Sequence, residues 1–392
     1  MTHRFRGFGL AVSLVLVSTL GFTSQARGQS TPSTAAYVYI QIQGPAGAVY
    51  GLSASSTGKL SAISGSPWKP AGEIIGSNKA QFFTLGDENL HSYGVTSNGG
   101  IGPQIGQVPI LDYAGGNCGS GTSGGDGAVL DHTGSSIYVL LENGSGDCAA
   151  YQTYTITKAG YFDSNGDTEK TWTSEEAGNY YSFALPSILG NESFAYSDYA
   201  YIDSGWTLTG FRRGSSGTLE LMQFNETDPT LNGDYYNPRI PDASPAGNYL
   251  VVQLNPEDGG GPLQLGSYTV DSQGNISTTN TSSDMPTSSF IVPKTTFSPS
   301  GNLFVAYADG AETNGKSGIE IYNFNGAAPL TPYKTLLTGT PIDQVAWDSS
   351  NHLYAISQSD NELYVFSVTP TSVTQDAAWS IGAPYKMVVV SE

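Results

Sequence analysis

The sequence predicts an all-β fold, a seven-bladed β-propeller with four-stranded antiparallel blades, closed by pairing of the N- and C-terminal strands. The first observation is a recurring hairpin in which an aromatic residue is followed by a tight turn and another apolar residue, as from Tyr268 to Ile276. The seven copies lie 43 to 61 residues apart, a period that suits one blade, and their aromatic residues are Tyr50, Tyr93, Tyr154, Phe211, Tyr268, Tyr322 and Phe366.

The second observation is another recurring hairpin, upstream of several copies of the first. Its turn contains Pro, which presets the turn, or Gly or Asn, which accept a positive φ. Two hairpins per period give four strands per blade. A β-sandwich is the competing fold, but it would not require this pair of hairpins seven times. The examples are residues 130–139, 243–251, 297–305 and 347–355.

The third observation is an unpaired apolar strand at each end of the chain. Residues 36–40 and 387–390 are both strand-like and are available to complete one blade together. Closure of the ring would also remove a blade edge that invites aggregation. We therefore predict a single propeller domain over residues 36–392, preceded by a flexible segment over 27–35.

The N-terminus predicts export. Residues 1–26 contain Arg4 and Arg6, an apolar run over 8–22 and then small residues that end at Ala26, the three parts of a cleaved signal peptide. A membrane anchor is the alternative, but the apolar run is shorter than the roughly 20 residues that a membrane span needs. We expect a secreted or periplasmic protein with no transmembrane segment after cleavage.

The charge balance excludes two classes of partner. Charged residues make up 12% of the chain, and removal of the signal leaves 13 basic against 34 acidic side chains, a net charge of −21. Nucleic acid and anionic lipid are repelled by such a surface. We expect a monomer, whose partner is a small molecule, a carbohydrate or a protein that the sequence does not identify.

The two cysteines, Cys118 and Cys148, predict a disulfide. An even cysteine count in an exported chain favours pairing, because the compartment is oxidising. The bond would enclose the strand over residues 137–141. Because it restricts the unfolded chain, it would stabilise the fold by about 3 kcal/mol. Two free thiols are the alternative.

The two hairpins also resemble a known family. Turns such as Ser298-Pro299-Ser300-Gly301 and the hairpin from Tyr268 to Ile276 are similar to those of the seven-bladed propeller lactonases and the related YVTN-repeat surface proteins. The resemblance covers nearly all of the chain after the signal, and it implies the propeller fold. It implies lactone hydrolysis only by analogy, because these hairpins are scaffold elements that several propeller families share.

Candidate site residues lie where the first strand of a blade begins, because those strands line the central channel. They are Asp126, Lys294 and Asp343 as candidate catalytic groups, and Glu73 and Lys386 as candidate ligand-binding groups. Together they would form a polar channel mouth able to hold a lactone or a sugar, or they would only solvate the channel. The resembled lactonases tend to place His and Arg at such positions, and this sequence has neither there.

Two other motifs have a catalytic and a structural interpretation. Asp131 precedes His132 and would orient it as a base, but Asp at the start of a turn favours a structural role for both. Arg212 and Arg213 form the only adjacent arginine pair after the signal and would hold a carboxylate or phosphate. Their place on a hairpin strand favours exposed outer positions instead.

One acidic segment has the ligand spacing of a calcium loop. Asp163, Asn165, Asp167 and Glu169 place oxygen atoms at alternate positions, as in loops that wrap a Ca²⁺ ion. The Gly of a full EF-hand loop is missing, so an ordinary turn rich in Asp and Asn is the preferred interpretation. We predict that no cofactor is required, and Ca²⁺ is the one ion that the sequence suggests.

The scaffold is therefore better defined by the sequence than the chemistry. Without a recognisable catalytic set, our leading hypothesis is an exported propeller that acts as a ligand- or protein-binding scaffold. The alternative is a lactone hydrolase, and the sequence does not decide whether the protein is an enzyme. Acid, base and cation within hydrogen-bond reach at a channel mouth would favour the enzyme.

Overall fold

The strands form seven antiparallel sheets arranged as the blades of a propeller, as the sequence predicts. The computed structural model describes residues 33–110, 122–143, 149–167, 181–201, 205–222, 236–256, 263–291, 293–311 and 315–392, and no helix occurs among them. The strands are numbered in chain order, and each blade is given below from its innermost strand outward. In blade 4 the innermost strand is split into two segments, both of which pair with the second strand.

Blades 1 to 3 have the following strands. Blade 1 contains β29 (Pro384–Ser391), β1 (Thr34–Ile42), β2 (Val49–Ser55) and β3 (Leu60–Ala62). Blade 2 contains β4 (Glu73–Ser77), β5 (Gln81–Gly86), β6 (Asn89–Val95) and β7 (Ile101–Pro109). Blade 3 contains β8 (Thr122–Leu130), β9 (Ser136–Asn143), β10 (Ala149–Ile156) and β11 (Phe162–Asp167).

Blades 4 to 7 follow in the same way. Blade 4 contains β12 (Tyr181–Phe183), β13 (Ser187–Ile188), β14 (Phe194–Tyr201), β15 (Gly205–Arg213) and β16 (Leu219–Leu221). Blade 5 contains β17 (Tyr236–Ala243), β18 (Tyr249–Pro256), β19 (Gln264–Val270) and β20 (Ile276–Ser277). Blade 6 contains β21 (Lys294–Phe297), β22 (Leu303–Ala308), β23 (Gly318–Asn323) and β24 (Thr331–Leu336). Blade 7 contains β25 (Gln344–Trp347), β26 (His352–Ser357), β27 (Glu362–Thr369) and β28 (Ser372–Ser380).

The terminal strands close the ring within one blade. Strand β29 pairs with β1 from Ala36 opposite Ser391 to Ile42 opposite Pro384, so the end of the chain supplies the innermost strand of blade 1. The predicted closure is confirmed. Strand β1 begins at Thr34, two residues before the predicted start of the domain.

The hydrophobic core is divided among the interfaces between blades. Seven clusters of buried apolar side chains are present in the described residues, one at each interface between consecutive blades. The interface that closes the ring, for example, packs Val38 and Ile40 of blade 1 against Ile356 and Val365 of blade 7. A blade therefore buries its apolar faces only when both neighbours are present.

Tyrosine side chains connect several blades to the outer hairpin of the next blade. The Tyr196 hydroxyl of blade 4 donates to the Gly274 carbonyl of blade 5 at 2.7 Å, and Tyr39 and Tyr138 make the same bond to Gly99 and Gly217. Gly274 has φ of +91°, and a Cβ there would lie 2.9 Å from the Phe194 ring. The positive φ and the close approach of the neighbouring blade together explain why glycine recurs at this hairpin position.

Two predictions concern residues that the structure does not describe. Residues 1–26, the predicted signal, and the cysteines Cys118 and Cys148 lie outside the described ranges, so export and the disulfide remain predictions. The described part of the chain contains no helix with the length and hydrophobicity of a membrane span.

Deletion of residues 385–392 tests ring closure. It removes most of β29, leaves one edge of β1 unpaired and exposes surface that Met387, Val388 and Val390 bury. We expect the melting temperature to fall by about 10 °C or more, since a loss of 1 kcal/mol already shifts a domain of this size by about 2–4 °C. A chain that lacks only Glu392 is the control. Equal melting of both chains in a thermal unfolding scan would show that the ring does not depend on β29.

Candidate functional site

The candidate site is a cavity in the central channel, formed by the inner strands of blades 3 to 7. It has a volume of about 600 Å³ and lies mainly at the end where these strands enter the turn to the second strand. Its walls are mostly apolar. The polar side chains that line it, among the described residues, are His132, Ser187, Asp242, Thr295 and Thr296.

A strained β-bulge in β17 places Asp242 in this cavity. The pairing of β17 with β18 shifts between Arg239 and Asp242, so Ile240 and Pro241 form a bulge. Ile240 has φ of +42°, a conformation that a β-branched residue adopts only at a cost in strain. Bulges next to active sites commonly redirect a side chain. Here the bulge directs a carboxyl group toward the channel.

Burial gives the Asp242 carboxyl an unusual protonation equilibrium. Burial raises the pKa of Asp242 to about 7. Hydrogen bonds with the Thr295 and Ser187 side chains and the nearby charge of His132 act in the opposite direction and favour the ionised form. The residue as a whole is only partly buried, but its Oδ2 atom is enclosed and has no hydrogen-bond partner among the described residues. A carboxyl group in this state is suited to proton transfer near neutral pH.

A second buried carboxyl group, Asp198 on β14, contacts the bulge from blade 4. Asp198 is buried, and burial raises its pKa, while the backbone N–H of Ile240 and the charge of Arg239 favour its ionised form. The Ile240 amide, which the bulge removes from the pairing with β18, thus has an acceptor. Asp198 therefore helps to hold the strained segment that presents Asp242.

Glu192 from blade 4 orients His132. The Glu192 carboxylate lies 3.2 Å from His132 Nδ1 and accepts the His132 backbone N–H at 3.1 Å. Asp131 does not contact the ring; it caps its own turn by accepting the Ser135 N–H at 2.8 Å. The structural interpretation of Asp131 is correct. His132 nevertheless lines the cavity, with a carboxylate from the neighbouring blade behind it.

Arg213 lies behind the cavity wall rather than on the outer surface. Its guanidinium group contacts Asp131 Oδ2 at 2.6 Å, donates to the Tyr138 hydroxyl at 2.7 Å and lies 3.5 Å from Glu192. The expectation of an exposed arginine pair is therefore wrong for Arg213 and right for Arg212, which is exposed. Glu192 lies within hydrogen-bond reach of both His132 and Arg213, but Arg213 is behind the wall and not part of the cavity lining.

The predicted mouth residues form two separate pairs where the inner strands begin, Lys294 with Asp343 and Glu73 with Lys386. Lys294 Nζ donates to the Asp343 carbonyl at 3.3 Å, and the Asp343 carboxylate accepts the Gln358 N–H at 2.6 Å. Glu73 accepts from Lys386 Nζ, and from the Tyr385 hydroxyl at 2.9 Å. None of Glu73, Lys294, Asp343 and Lys386 lines the cavity. The side chain of Asp126 lies outside the described part, and the catalytic and binding roles remain predictions.

The predicted calcium ligands lie on and beyond an edge strand. Asp163, Asn165 and Asp167 belong to β11, which pairs with β10, and Glu169 lies outside the described residues. No cluster of three or more His, Cys, Asp or Glu suited to a metal occurs in the part of the chain that the structure describes. The calcium loop remains a prediction for chelation experiments.

Sequence reasoning did not single out Asp242, although a signal for it is present. Pro238 and Pro241 both fall in a strand that hydrogen-bonds to β18, and proline inside a strand commonly marks a bulge. This pattern could have marked Asp242, the residue after Pro241, as a side chain that a bulge redirects.

Truncation of Arg213 tests the buried charge network behind the cavity. Arg213→Ala leaves Asp131 buried without its cation, so we expect a loss of about 3–5 kcal/mol in the free energy of unfolding. Arg212→Ala is the matched control, because an exposed substitution changes stability by only about 0.5 kcal/mol. Urea unfolding of both variants measures the difference. Equal stabilities would show that the Asp131–Arg213 pair does not support this wall.

Comparison with known proteins agrees with this architecture. Neither a protein-family model nor a curated protein matches the chain. Among solved structures, a proposed 6-phosphogluconolactonase of Bacteroides uniformis is 13% identical and aligns with a TM-score of 0.61 over 91% of this chain and 100% of its own. The periplasmic gluconolactonase PpgL of Pseudomonas aeruginosa is 12% identical, with a TM-score of 0.59 over 91% and 99% of the two chains. At these identities the similarity establishes the fold: the chain is a seven-bladed propeller of the kind found in gluconolactonase-like proteins.

Proposed function

We propose that the protein is a lactone hydrolase that acts on an uncharged lactone in the central channel. The observation that supports this most is Asp242, which lines the same cavity as His132 and whose buried carboxyl group has a pKa of about 7. The fold shared with gluconolactonase-like structures is consistent with this function but does not establish it.

Asp242 is the proposed general base. A base is most effective when its pKa lies near the working pH, because it is then ionised in a useful fraction and still accepts a proton readily. The Asp242 carboxylate would remove a proton from water as the water oxygen bonds to the lactone carbonyl carbon. Cleavage of the ring C–O bond then releases an alkoxide, which must receive a proton.

His132 is the proposed general acid that donates a proton to this alkoxide. Glu192 lies 3.2 Å from Nδ1, which leaves the other ring nitrogen available to face a substrate. Protonated His132 would give its proton to the leaving oxygen, and the proton on Asp242 would then restore His132 through water. The products balance as one hydroxy acid from one lactone and one water.

The charge around the cavity favours an uncharged substrate. No lysine or arginine lines the cavity among the described residues, and the whole chain has a net charge of −19. A phosphorylated lactone would need cationic partners that the described lining does not supply. We propose that the enzyme is exported and acts outside the cytoplasm. The N-terminal signal pattern supports that location, and a periplasmic gluconolactonase shares the fold.

The second candidate function is ligand binding without hydrolysis. The protein would then be an exported binding scaffold. The described lining contains no arginine or lysine that would stabilise the negative charge formed on the carbonyl oxygen. A propeller that only binds a polar molecule needs no such group.

Hydrolysis assays with Asp242→Asn distinguish the two functions. We expect wild-type protein to open uncharged lactones at a rate that rises with pH through about 7, as Asp242 ionises. Asp242→Asn should lower the rate by about 10²–10⁴-fold, the usual contribution of a general base. Asp87→Asn, at an exposed hairpin position, is the matched control.

If purified wild-type protein opens neither δ-decalactone nor glucono-δ-lactone above the buffer rate, with or without added divalent metal, the hydrolase is rejected. Binding of a lactone without turnover would then support the second candidate.

A further inference from the structure

We infer that the hydroxyl groups of Ser187 and Thr295 hold the Asp242 carboxylate in the channel, and that both are positioning residues for the proposed base. The inference rests on the proposed function and adds two residues to the same site. Ser187 belongs to β13 of blade 4 and Thr295 to β21 of blade 6, so they approach Asp242 of blade 5 from its two neighbouring blades. All three residues line the cavity, and none of them is fully buried.

Ser187 holds the segment that follows the β17 bulge. Its Oγ accepts the Ala243 backbone N–H at 2.8 Å, so blade 4 fixes the residue next to Asp242. A hydroxyl group has two lone pairs and one hydrogen, so this contact leaves the hydrogen available for donation. The Asp242 carboxyl group is a hydrogen-bond partner of the same side chain. Ser187 therefore contacts two consecutive residues directly after the bulge.

Thr295 acts on the carboxyl group from the next blade. Among the groups that favour ionised Asp242, the Thr295 hydroxyl makes the largest contribution. Thr296, the following residue, lines the same cavity but is not one of those groups. Successive residues of a strand face opposite sides of the sheet, which explains the difference between the two threonines. The placement of one hydroxyl group, rather than the general polarity of the lining, therefore favours the carboxylate.

A buried base needs such donors. Burial favours the neutral form of a carboxyl group, and hydrogen bonds to the charged form oppose this effect. Two hydroxyl donors keep part of Asp242 ionised near neutral pH. They also hold its oxygen atoms in one orientation, as a base that faces an attacking water requires. Apolar groups in their place would leave Asp242 largely protonated at pH 7.

The titratable groups that face Asp242, among the described residues, are His132 and Tyr307. The charge of His132, in the turn after β8, favours ionised Asp242. Burial raises the pKa of Tyr307, on β22 of blade 6, and the Asp242 charge raises it further, so Tyr307 stays neutral. Both groups remain when a hydroxyl group is removed. A change in the titration of Asp242 then reports the loss of that hydroxyl group.

The direct test follows the carboxyl carbon signal of Asp242 by NMR from pH 4 to pH 10. The signal is identified by its loss in Asp242→Asn. Ser187→Ala and Thr295→Val each remove a donor to the carboxylate, so the midpoint should rise by about one pH unit in each variant. Thr295→Ser keeps the hydroxyl group and should keep the wild-type midpoint. Thr296→Val, which removes the neighbouring hydroxyl group, is the matched control and should also keep it.

The pH dependence of hydrolysis supplies a second test. A rise of the Asp242 midpoint from about 7 to about 8 lowers the ionised fraction at pH 7 from about one half to about one tenth. Thr295→Val should therefore lower kcat/KM at pH 7 by about fivefold for the lactone that wild-type protein opens, and most of the activity should return at pH 9. A side chain that only stabilised the fold would lower the activity equally at all pH values.

The outcomes separate this inference from the proposed function. A wild-type midpoint in Ser187→Ala or Thr295→Val would overturn the inference for that residue, whether or not the protein opens lactones. An equal rise in Thr296→Val would show that the polarity of the lining alone acts on Asp242, which also contradicts the inference. A raised midpoint that Thr295→Ser restores, in a protein that opens no lactone, would reject the hydrolase and retain the positioning role. If Ser187→Ala fails to fold, Thr295→Val decides, because valine has the shape of threonine and suits a strand.

Discussion

Each blade of this propeller is stable only when it packs against both of its neighbours. The seven buried clusters each lie between two blades, so no sheet has a hydrophobic core of its own. An open arc would leave one apolar face of blade 1 and one of blade 7 in water. Pairing of β29 with β1 removes both exposed faces at once, and for this reason the last strand is inserted on the channel side of the first blade.

Closure also determines where chemistry can occur. In a ring the innermost strands converge on one channel, and departures from regular pairing on those strands change what the channel contains. One such departure is the β17 bulge, where Ile240 has a positive φ and Asp198 accepts the displaced amide. The strain and the buried second carboxyl group cost stability. Their consequence is that Asp242 faces an apolar cavity that raises its pKa.

The sequence predicted the fold because repetition makes a weak signal strong. One aromatic hairpin such as Tyr268 to Ile276 has many structural contexts, but seven copies with two unpaired terminal strands fit a closed ring. The structure confirms the hairpins as the third and fourth strands of the blades. Repetition also explains the tyrosines, since Tyr39, Tyr138 and Tyr196 bond to the hairpin glycines of the next blade.

The site was not predictable by the same reasoning, because it depends on breaks in the repeat. Lys294 and Asp343 were chosen from their positions before inner strands, yet the structure pairs them with backbone groups outside the cavity. His132 was assigned to a turn, which is correct, but its orienting partner Glu192 lies in another blade, 60 residues away. Contacts between blades at such separations, and a bulge of two residues in one strand, leave little trace in a repeat alignment.

Titration of Asp242 shows whether the channel of the closed ring holds a carboxyl group that exchanges its proton near neutral pH. The carboxyl carbon signal of Asp242, identified by its loss in Asp242→Asn, can be followed by NMR from pH 4 to pH 9 without a ligand. A midpoint near 7 would show that the closed ring and its bulge hold a proton-transfer group in the channel. A midpoint near 4, the ordinary value for an aspartate, would show that the carboxyl group is solvated and would contradict its role as the general base.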